Sequence, residues 1–296
     1  MSWKFIDTSL LRVGYQEWNP GAKRTMVLMH GWPDSPRCWA AMVPTLVDAG
    51  FHVIAPALRG FNPTTFLRAD TPRTGQLASL GRDLIEFVQA LKLARPILVG
   101  HDWGARAVAN ACGLQPGIAS HLVMLAVGYG TNTPSQSLSL EQAHNYWYHW
   151  YMATPRGEQT VRQDGRAFSR KMWDLWAPAG WYAPEEFEAT ADAFDNPDWA
   201  PIVLHSYRHR WGHASGDPAY DKDDQALNPP PVLAVPTLVL HGAVDTVNAP
   251  VGSANKEHLF TGPYQRTLLE GVGHFPQREA PQQVAQALLD FVRTHA

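Results

Sequence analysis

The chain has 296 residues, 45% of them hydrophobic and 17% charged, with a formal net charge of −3. That size and balance suit one large or two small globular units with a sizeable core. The slight negative charge leaves no basic footprint for nucleic acid and no polybasic anchor for a membrane surface, so small molecules are the expected partners.

Residues 1–15 contain no sustained apolar core, and nowhere does the sequence approach the ~18 uninterrupted apolar residues of a membrane span. Cytoplasmic residence is therefore expected. Short apolar runs at Thr25–Met29, Phe51–Ala55 and Pro96–Gly100 read as strands, and they alternate with helical patterns at Cys38–Asp48, Gln76–Leu93 and Trp103–Cys112. Such alternation predicts a parallel sheet covered on both faces. Cys38 and Cys112 are the only cysteines, without metal-type or redox-type spacing, and read as buried reduced thiols. Leu122–Val127 predicts a further strand. From Pro134 to about Gln225 the pattern turns to aromatic-rich helical stretches broken by Pro and Gly, as expected of an inserted helical lid. Seven of the 12 tryptophans fall between Trp147 and Trp211. The clustering suggests either an aromatic-walled pocket or core packing. If a pocket, Trp32, Trp103, Trp147 and Trp150 are its expected substrate contacts. Beyond the Pro-rich stretch NPPPVLAVP, Thr237–His241 and Arg266–Glu270 resume the strand pattern, and Pro281–Arg293 reads as an amphipathic closing helix. One α/β core, residues 1–133 and 226–296, is thus interrupted by a cap at 134–225.

The run PILVGHDWGARAVANA places Asp102 at a strand-to-helix turn between Gly100 and Gly104. Small residues on either side let the backbone bend sharply. A serine at such an elbow needs a base to become nucleophilic, whereas a carboxylate is already ionised near neutral pH and attacks as it stands. Asp102 is therefore the candidate nucleophile. The plainer reading makes it an N-cap of the following helix.

Three further motifs point to the same chemistry. HGWPDS at His30–Ser35 follows a strand, and its turn can aim the backbone N–H of Trp32 at Asp102, with the N–H of Trp103 as a second donor of an oxyanion hole. HGAVDTVNAP sets Asp245 just after a late strand, and GVGHFPQREAP sets His274 just after the last. Nucleophile, acid and histidine then follow in the order of an α/β-hydrolase triad. Singly, each could be a turn former or a surface residue; their joint order carries the catalytic reading. His205, His209 and His213 recur every four residues. Without a carboxylate or Cys partner they do not suggest a metal site, and no cofactor is expected.

These motifs, with LRGF at Leu58–Phe61, occur in the order found in the α/β-hydrolase superfamily, and across essentially the whole chain the sequence resembles its soluble epoxide hydrolases. The resemblance implies a mostly parallel central sheet flanked by helices, an inserted helical lid, and hydrolysis of a small epoxide by water. YHWYMATP resembles the segment bearing the family's first lid tyrosine, which carries over to Tyr148, with Tyr146 and Tyr151 as neighbouring alternatives. HSYRHRW resembles the segment bearing the second, Tyr207. The chain departs at Ala57, where an acidic residue usually precedes this LRG.

The chemistry accounts for such residues. Opening an epoxide expels an alkoxide whose conjugate acid has a pKa of about 15.7, so it needs a proton as it leaves. A phenol with a pKa of about 10 can give one and still be protonated at neutral pH. A dehalogenase would share the aspartate and histidine but hold a halide on N–H donors. Trp103 suits that reading, and Arg106 resembles one of two carboxylate-binding arginines of fluoroacetate-type dehalogenases, although Trp103 occupies its companion's position. A non-catalytic small-ligand binder is the rival of another class, and it has no need of a nucleophile and base together.

Overall fold

In the computed structural model of the chain, which describes residues 2–133 and 136–296, nine strands form one sheet among the described residues. They are β1 (Lys4–Asp7), β2 (Leu11–Trp18), β3 (Arg24–Met29), β4 (Phe51–Pro56), β5 (Thr65–Phe66), β6 (Ile97–His101), β7 (His121–Leu125), β8 (Thr237–Gly242) and β9 (Tyr264–Leu269). The order is β1-β2-β4-β3-β6-β7-β8-β9, with β5 beside β2. All pairings from β4 to β9 are parallel, while β2 runs antiparallel to β1, β4 and β5.

Alternation along the central strands divides the core. Met26 and Leu28 of β3 cluster with Val43, Leu46, Val284 and Leu288 on one face, and Val27 and Met29 cluster with Leu80, Leu84 and Val108 on the other. Strands buried on both faces need continuous apolar runs, which is why β3, β6, β7 and β8 were legible from composition. The closing helix Pro281–Thr294 buries Val284, Ala285, Leu288, Phe291 and Val292, a single helical stripe.

Three features depart from the expectations. The sheet gains β1, β2 and β5, of which β2 buries Leu11, Val13 and Tyr15 around an exposed Arg12. The helix expected over Cys38–Asp48 is instead a 3₁₀ turn, Pro36–Trp39, and a separate helix, Val43–Asp48. Pro44 explains the break, because its ring would clash with the carbonyl four residues back, at Ala40. The strand expected to reach Val127 stops at Leu125, since Ala126 turns to φ 61°.

Between β7 and β8 lie seven α-helices and, among the described residues, no strand. The expected start of this segment at Pro134 lies outside the described residues. Gly165–Trp176 buries Phe168, Met172, Trp173 and Trp176, and Trp199–Arg210 buries Trp199, Ile202, Val203, Tyr207 and Arg210. Their apolar faces join the core cluster that covers one side of the sheet. Trp173 fastens the segment to the loop after β3 by donating its indole N–H to Pro33 O at 2.8 Å. No described helix is long and apolar enough to cross a membrane.

Candidate active site

Asp102 joins β6 to the helix Trp103–Leu114 with φ 49° and ψ −112°. A non-glycine residue in the positive-φ region is strained, and its neighbours hold it there. A Cβ on Gly104 would strike the backbone carbonyls of Met29 and His30, and one on Gly31 would come within 2.5 Å of the Asp102 Cβ. Only bare backbone lets β3 and its loop close on the elbow. The Asp102 side chain makes no capping bond to its helix, so N-capping does not account for it. Its Oδ1 accepts a hydrogen bond from the backbone N–H of Trp32 at 3.0 Å. The N–H of Trp103, first in the helix, has no intrahelical acceptor. The Trp32 loop is braced by His30, which contacts Gly31 O through Nδ1 (2.9 Å) and accepts the N–H of Leu58 on Nε2 (3.0 Å). Burial lowers the pKa of His30 to about 4, so this brace is neutral.

Opposite Asp102 stands His274, whose Nε2 lies 3.8 Å from Asp102 Oδ2. Its Nδ1 is 2.8 Å from Asp245 Oδ2. Asp245 Oδ1 accepts the backbone N–H groups of Val247 and Asn248, both at 2.9 Å. Burial opposes ionisation of Asp245, but His274 and His241 outweigh it, and the carboxyl is held far below the usual range. For His274, burial disfavours the charged ring, yet Asp245 and then Asp102 raise its pKa above the ordinary value. An Nδ1–H donated to Asp245 leaves the Nε2 lone pair directed at Asp102. Nε2 has no hydrogen-bond partner among the described residues.

The helical segment supplies an aromatic wall. Tyr148 stacks on Trp32 at 5.6 Å and 18°, and meets Tyr207 edge-on at 5.3 Å. Tyr207 Oη accepts the indole N–H of Trp103 at 3.1 Å. Burial pushes both phenols well above the ordinary tyrosine value, and the Asp102 charge adds to this, so both stay protonated throughout the neutral range. The two alternatives to Tyr148 are engaged elsewhere: the single Tyr146 hydroxyl proton faces Asn248 Oδ1 at 2.8 Å and Asn132 Oδ1 at 3.0 Å, and Tyr151 Oη lies 2.8 Å from Thr160 Oγ1.

The structure thus brings together Asp102, His274, Asp245, Tyr148, Tyr207, Trp32 and Trp103. Trp147 and Trp150 are only partly buried and stand behind that group. Trp147 packs on Tyr148, Tyr151 and Phe168, while Trp150 packs on Trp211 and donates to Ala143 O. The nearer positions belong to residues that sequence reasoning passed over. Trp176 lies 5.5 Å from Trp32 and 5.1 Å from both Tyr148 and His274, and its carbonyl accepts the His274 N–H at 2.9 Å. His149 lies 4.5 Å from Tyr207, centroid to centroid. Its Nδ1 accepts the Trp211 indole N–H, which leaves the proton on a buried Nε2 that has no partner among the described residues. Burial holds this ring neutral. Adjacency to Tyr148 in YHW was the available signal for His149; Trp176 offered none beyond being one tryptophan among many. His205 spends its ring nitrogens on Gly75 N and Ser215 O, a structural tie.

Residues 24–281 match the model of the alpha/beta hydrolase fold family. Epoxide hydrolase A of Mycobacterium tuberculosis is 27% identical over 98% of this chain and 96% of its own. The crystal structure of a Klebsiella pneumoniae protein, provisionally assigned as an epoxide hydrolase, superposes with a TM-score of 0.92 at 34% identity, covering 99% of this chain and 97% of that one. Epoxide hydrolase A of Mycobacterium thermoresistibile superposes with a TM-score of 0.75 at 25% identity, covering 99% and 98%. The chain belongs to the α/β-hydrolase fold family. Within that family it belongs with the epoxide hydrolases.

Proposed function

We propose that the chain is an epoxide hydrolase that converts a small apolar or aromatic epoxide to a vicinal diol through an ester on Asp102. Residues 134–225 act as a lid over a core made of residues 1–133 and 226–296, and the epoxide lies between Asp102 and the two lid tyrosines. Asp102 Oδ2 attacks, because Oδ1 is already engaged by the Trp32 N–H. As the C–O bond of the epoxide breaks, Tyr148 and Tyr207 hydrogen-bond its oxygen and supply the proton. Nucleophile and leaving oxygen are then in line.

Water next attacks the carbonyl carbon of the Asp102 ester while His274 Nε2 takes its proton. Asp245 fixes the imidazole tautomer and stabilises the charged ring. The oxyanion develops on Oδ1, where the N–H groups of Trp32 and Trp103 receive it, each donor contributing about 3 kcal/mol; its collapse breaks the bond from the Asp102 carbonyl carbon to the ester oxygen, and the diol leaves with the proton that His274 took from water. Esterification also removes the Asp102 charge, one of the causes that raise the His274 pKa, so a larger share of the imidazole is neutral and free to accept a proton at the step that needs a base. The observation that carries this reading is the pair of buried phenols, Tyr148 against Trp32 and Tyr207 on the Trp103 indole, set beside a carboxylate that the Asp245–His274 pair faces.

Halide displacement by the same nucleophile has one observation in its favour: the buried indole N–H of Trp32 has no partner among the described residues. Against it, the Trp103 indole N–H is occupied by Tyr207. Assay of styrene oxide, a bulky polycyclic epoxide, a haloalkane and fluoroacetate side by side separates the two. Diol formation with little halide release is expected; brisk halide release with every epoxide untouched contradicts the proposal.

A further inference from the structure

Among the described residues three arginines, Arg59, Arg106 and Arg210, are buried, and the side chain of a fourth, Arg278, is 9% exposed; they divide into two kinds. Arg59 is held bidentately by Asp83, at 2.6 Å through both Nε and Nη2, and Arg278 by Asp34 at 2.9 and 2.7 Å. Arg106 and Arg210, only 6% and 4% exposed, bond no carboxylate among the described residues. Arg106 Nη1 donates to Thr131 O (2.8 Å) and approaches its Oγ1 (3.3 Å), and Arg210 Nη2 donates to Ser206 Oγ (3.1 Å). In both, the Nε–H is buried without a partner among the described residues.

Isolated buried cations are costly, and two in one place are worse. Burial first, and then the charge of Arg210, lower the pKa of Arg106. Both residues line one cavity of about 250 Å³. Asn110, Thr131 and Asn132 add polar groups to its wall, and Met124, Val127 and Leu227 add apolar ones. Asp224 also lines it, but its carboxyl accepts from Gln76 Nε2 at 2.6 Å, and burial raises its pKa. It is not the missing counter-ion. The volume lies just below the ~300–1,000 Å³ of pockets for drug-sized ligands, which suits a small organic molecule with an acidic group.

The cavity adjoins the candidate active site. Arg106 is four residues after Asp102, a rise of about 6 Å along the helix, and Arg210 lies over the rings of Tyr207 and Trp103 at 4.5 and 5.4 Å. We propose that the cavity is a carboxylate site in which Arg106 and Arg210 hold the acidic group of a small organic acid. That acid is either the far end of the epoxide substrate itself or a separate carboxylic acid. The first source rests on the epoxide-hydrolase reading; the second does not.

Calorimetric titration of the whole protein with benzoate and butyrate, against benzamide and butanamide, tests the site without any turnover. The acids are expected to bind and the amides not, with affinity falling at least about tenfold in Arg106→Gln and in Arg210→Gln, as befits lost charge-assisted hydrogen bonds. Relief of like-charge repulsion should leave the melting temperature of unliganded Arg106→Gln at or above that of the parent, whereas a purely structural arginine would lower it. Arg106→Lys and Arg210→Lys, which keep the charge, guard against misfolding and should retain part of the binding. The ratio of kcat/KM for 5,6-epoxyhexanoate over its primary amide then distinguishes the sources. A ratio above about ten that collapses in the Gln variants assigns the acid to the substrate, and acid binding with a ratio near one assigns it to a separate ligand. Acid binding with no epoxide turned over upholds the site and defeats the epoxide reading. Absence of both carboxylate binding and acid selectivity overturns the proposal.

Discussion

On the sheet side of the site, Asp245 accepts hydrogen bonds from Val247, Asn248 and His274, and Asp102 Oδ1 accepts one from Trp32. Across the gap, Tyr148 is held chiefly by ring packing on Trp32, Trp176 and Tyr207, and the buried Nε2 of His149 is unpaired among the described residues. One wall is fixed by hydrogen bonds made in advance. The other keeps donors that, in the proposed reaction, find their acceptor in the epoxide oxygen, as preorganised donors do at a site where charge develops. In the proposed mechanism the walls take different steps, the lid ring opening and the sheet side ester hydrolysis.

The strongest way to break that division is His274→Ala. Steady-state turnover should fall about 10⁴-fold, yet the ester should still form, because attack by Asp102 requires no base. Intact-mass measurement should find a stable adduct of enzyme plus substrate. A folded, substrate-binding variant without adduct would place His274 in the first step.

Removing the lid hydroxyls should give the opposite pattern. The double variant Tyr148→Phe with Tyr207→Phe should slow adduct formation by about 10³-fold, and each single change should have a smaller effect. Residual dehalogenation should suffer much less, since a halide leaves without a proton. Epoxide opening at the native rate in the double variant would remove the tyrosines from the mechanism.

Asp245→Asn should be milder, about 10²-fold in ester hydrolysis, with adduct formation largely intact. Both oxygens of Asp245 serve as acceptors, so an amide must point its NH₂ at a donor, disturbing either the loop or the His274 tautomer. A smaller and sharper effect concerns pH. Hydrolysis needs neutral His274, so its rate rises as pH passes the imidazole pKa. The Asp245 carboxylate raises that pKa, and the Asn variant should shift the rise to lower pH in single-turnover quench measurements. A rise that stays put or moves upward would deny Asp245 its electrostatic role.

The sheet's central strands were legible because they are buried on both faces. β2 escaped notice although Leu11, Val13 and Tyr15 alternate as a strand should, for its outer half, Gln16–Trp18, is only partly buried and carries the polar Gln16 and Glu17. Pro44 announced the broken helix to anyone weighing its missing N–H. In the site, Asp102, Asp245 and His274 were readable because each sits at a strand end inside a local motif. Choosing among Tyr146, Tyr148 and Tyr151 was beyond the sequence, because the choice turns on partners far along the chain: Asn248 for the first, Tyr207 for the second. Trp176 and Arg210 stayed hidden for the same reason. Nothing local separates an aromatic ring or guanidinium that packs in a core from one that faces a cavity.

If Asp102 is the nucleophile, it is consumed and restored in each cycle. A single turnover in ¹⁸O-water with enzyme in excess tests this directly. The first diol should carry unlabelled oxygen from Asp102, and the label should appear in the peptide that contains Asp102. A diol fully labelled from the first turnover would mean that water attacks the epoxide itself, and the nucleophile would have to be reassigned.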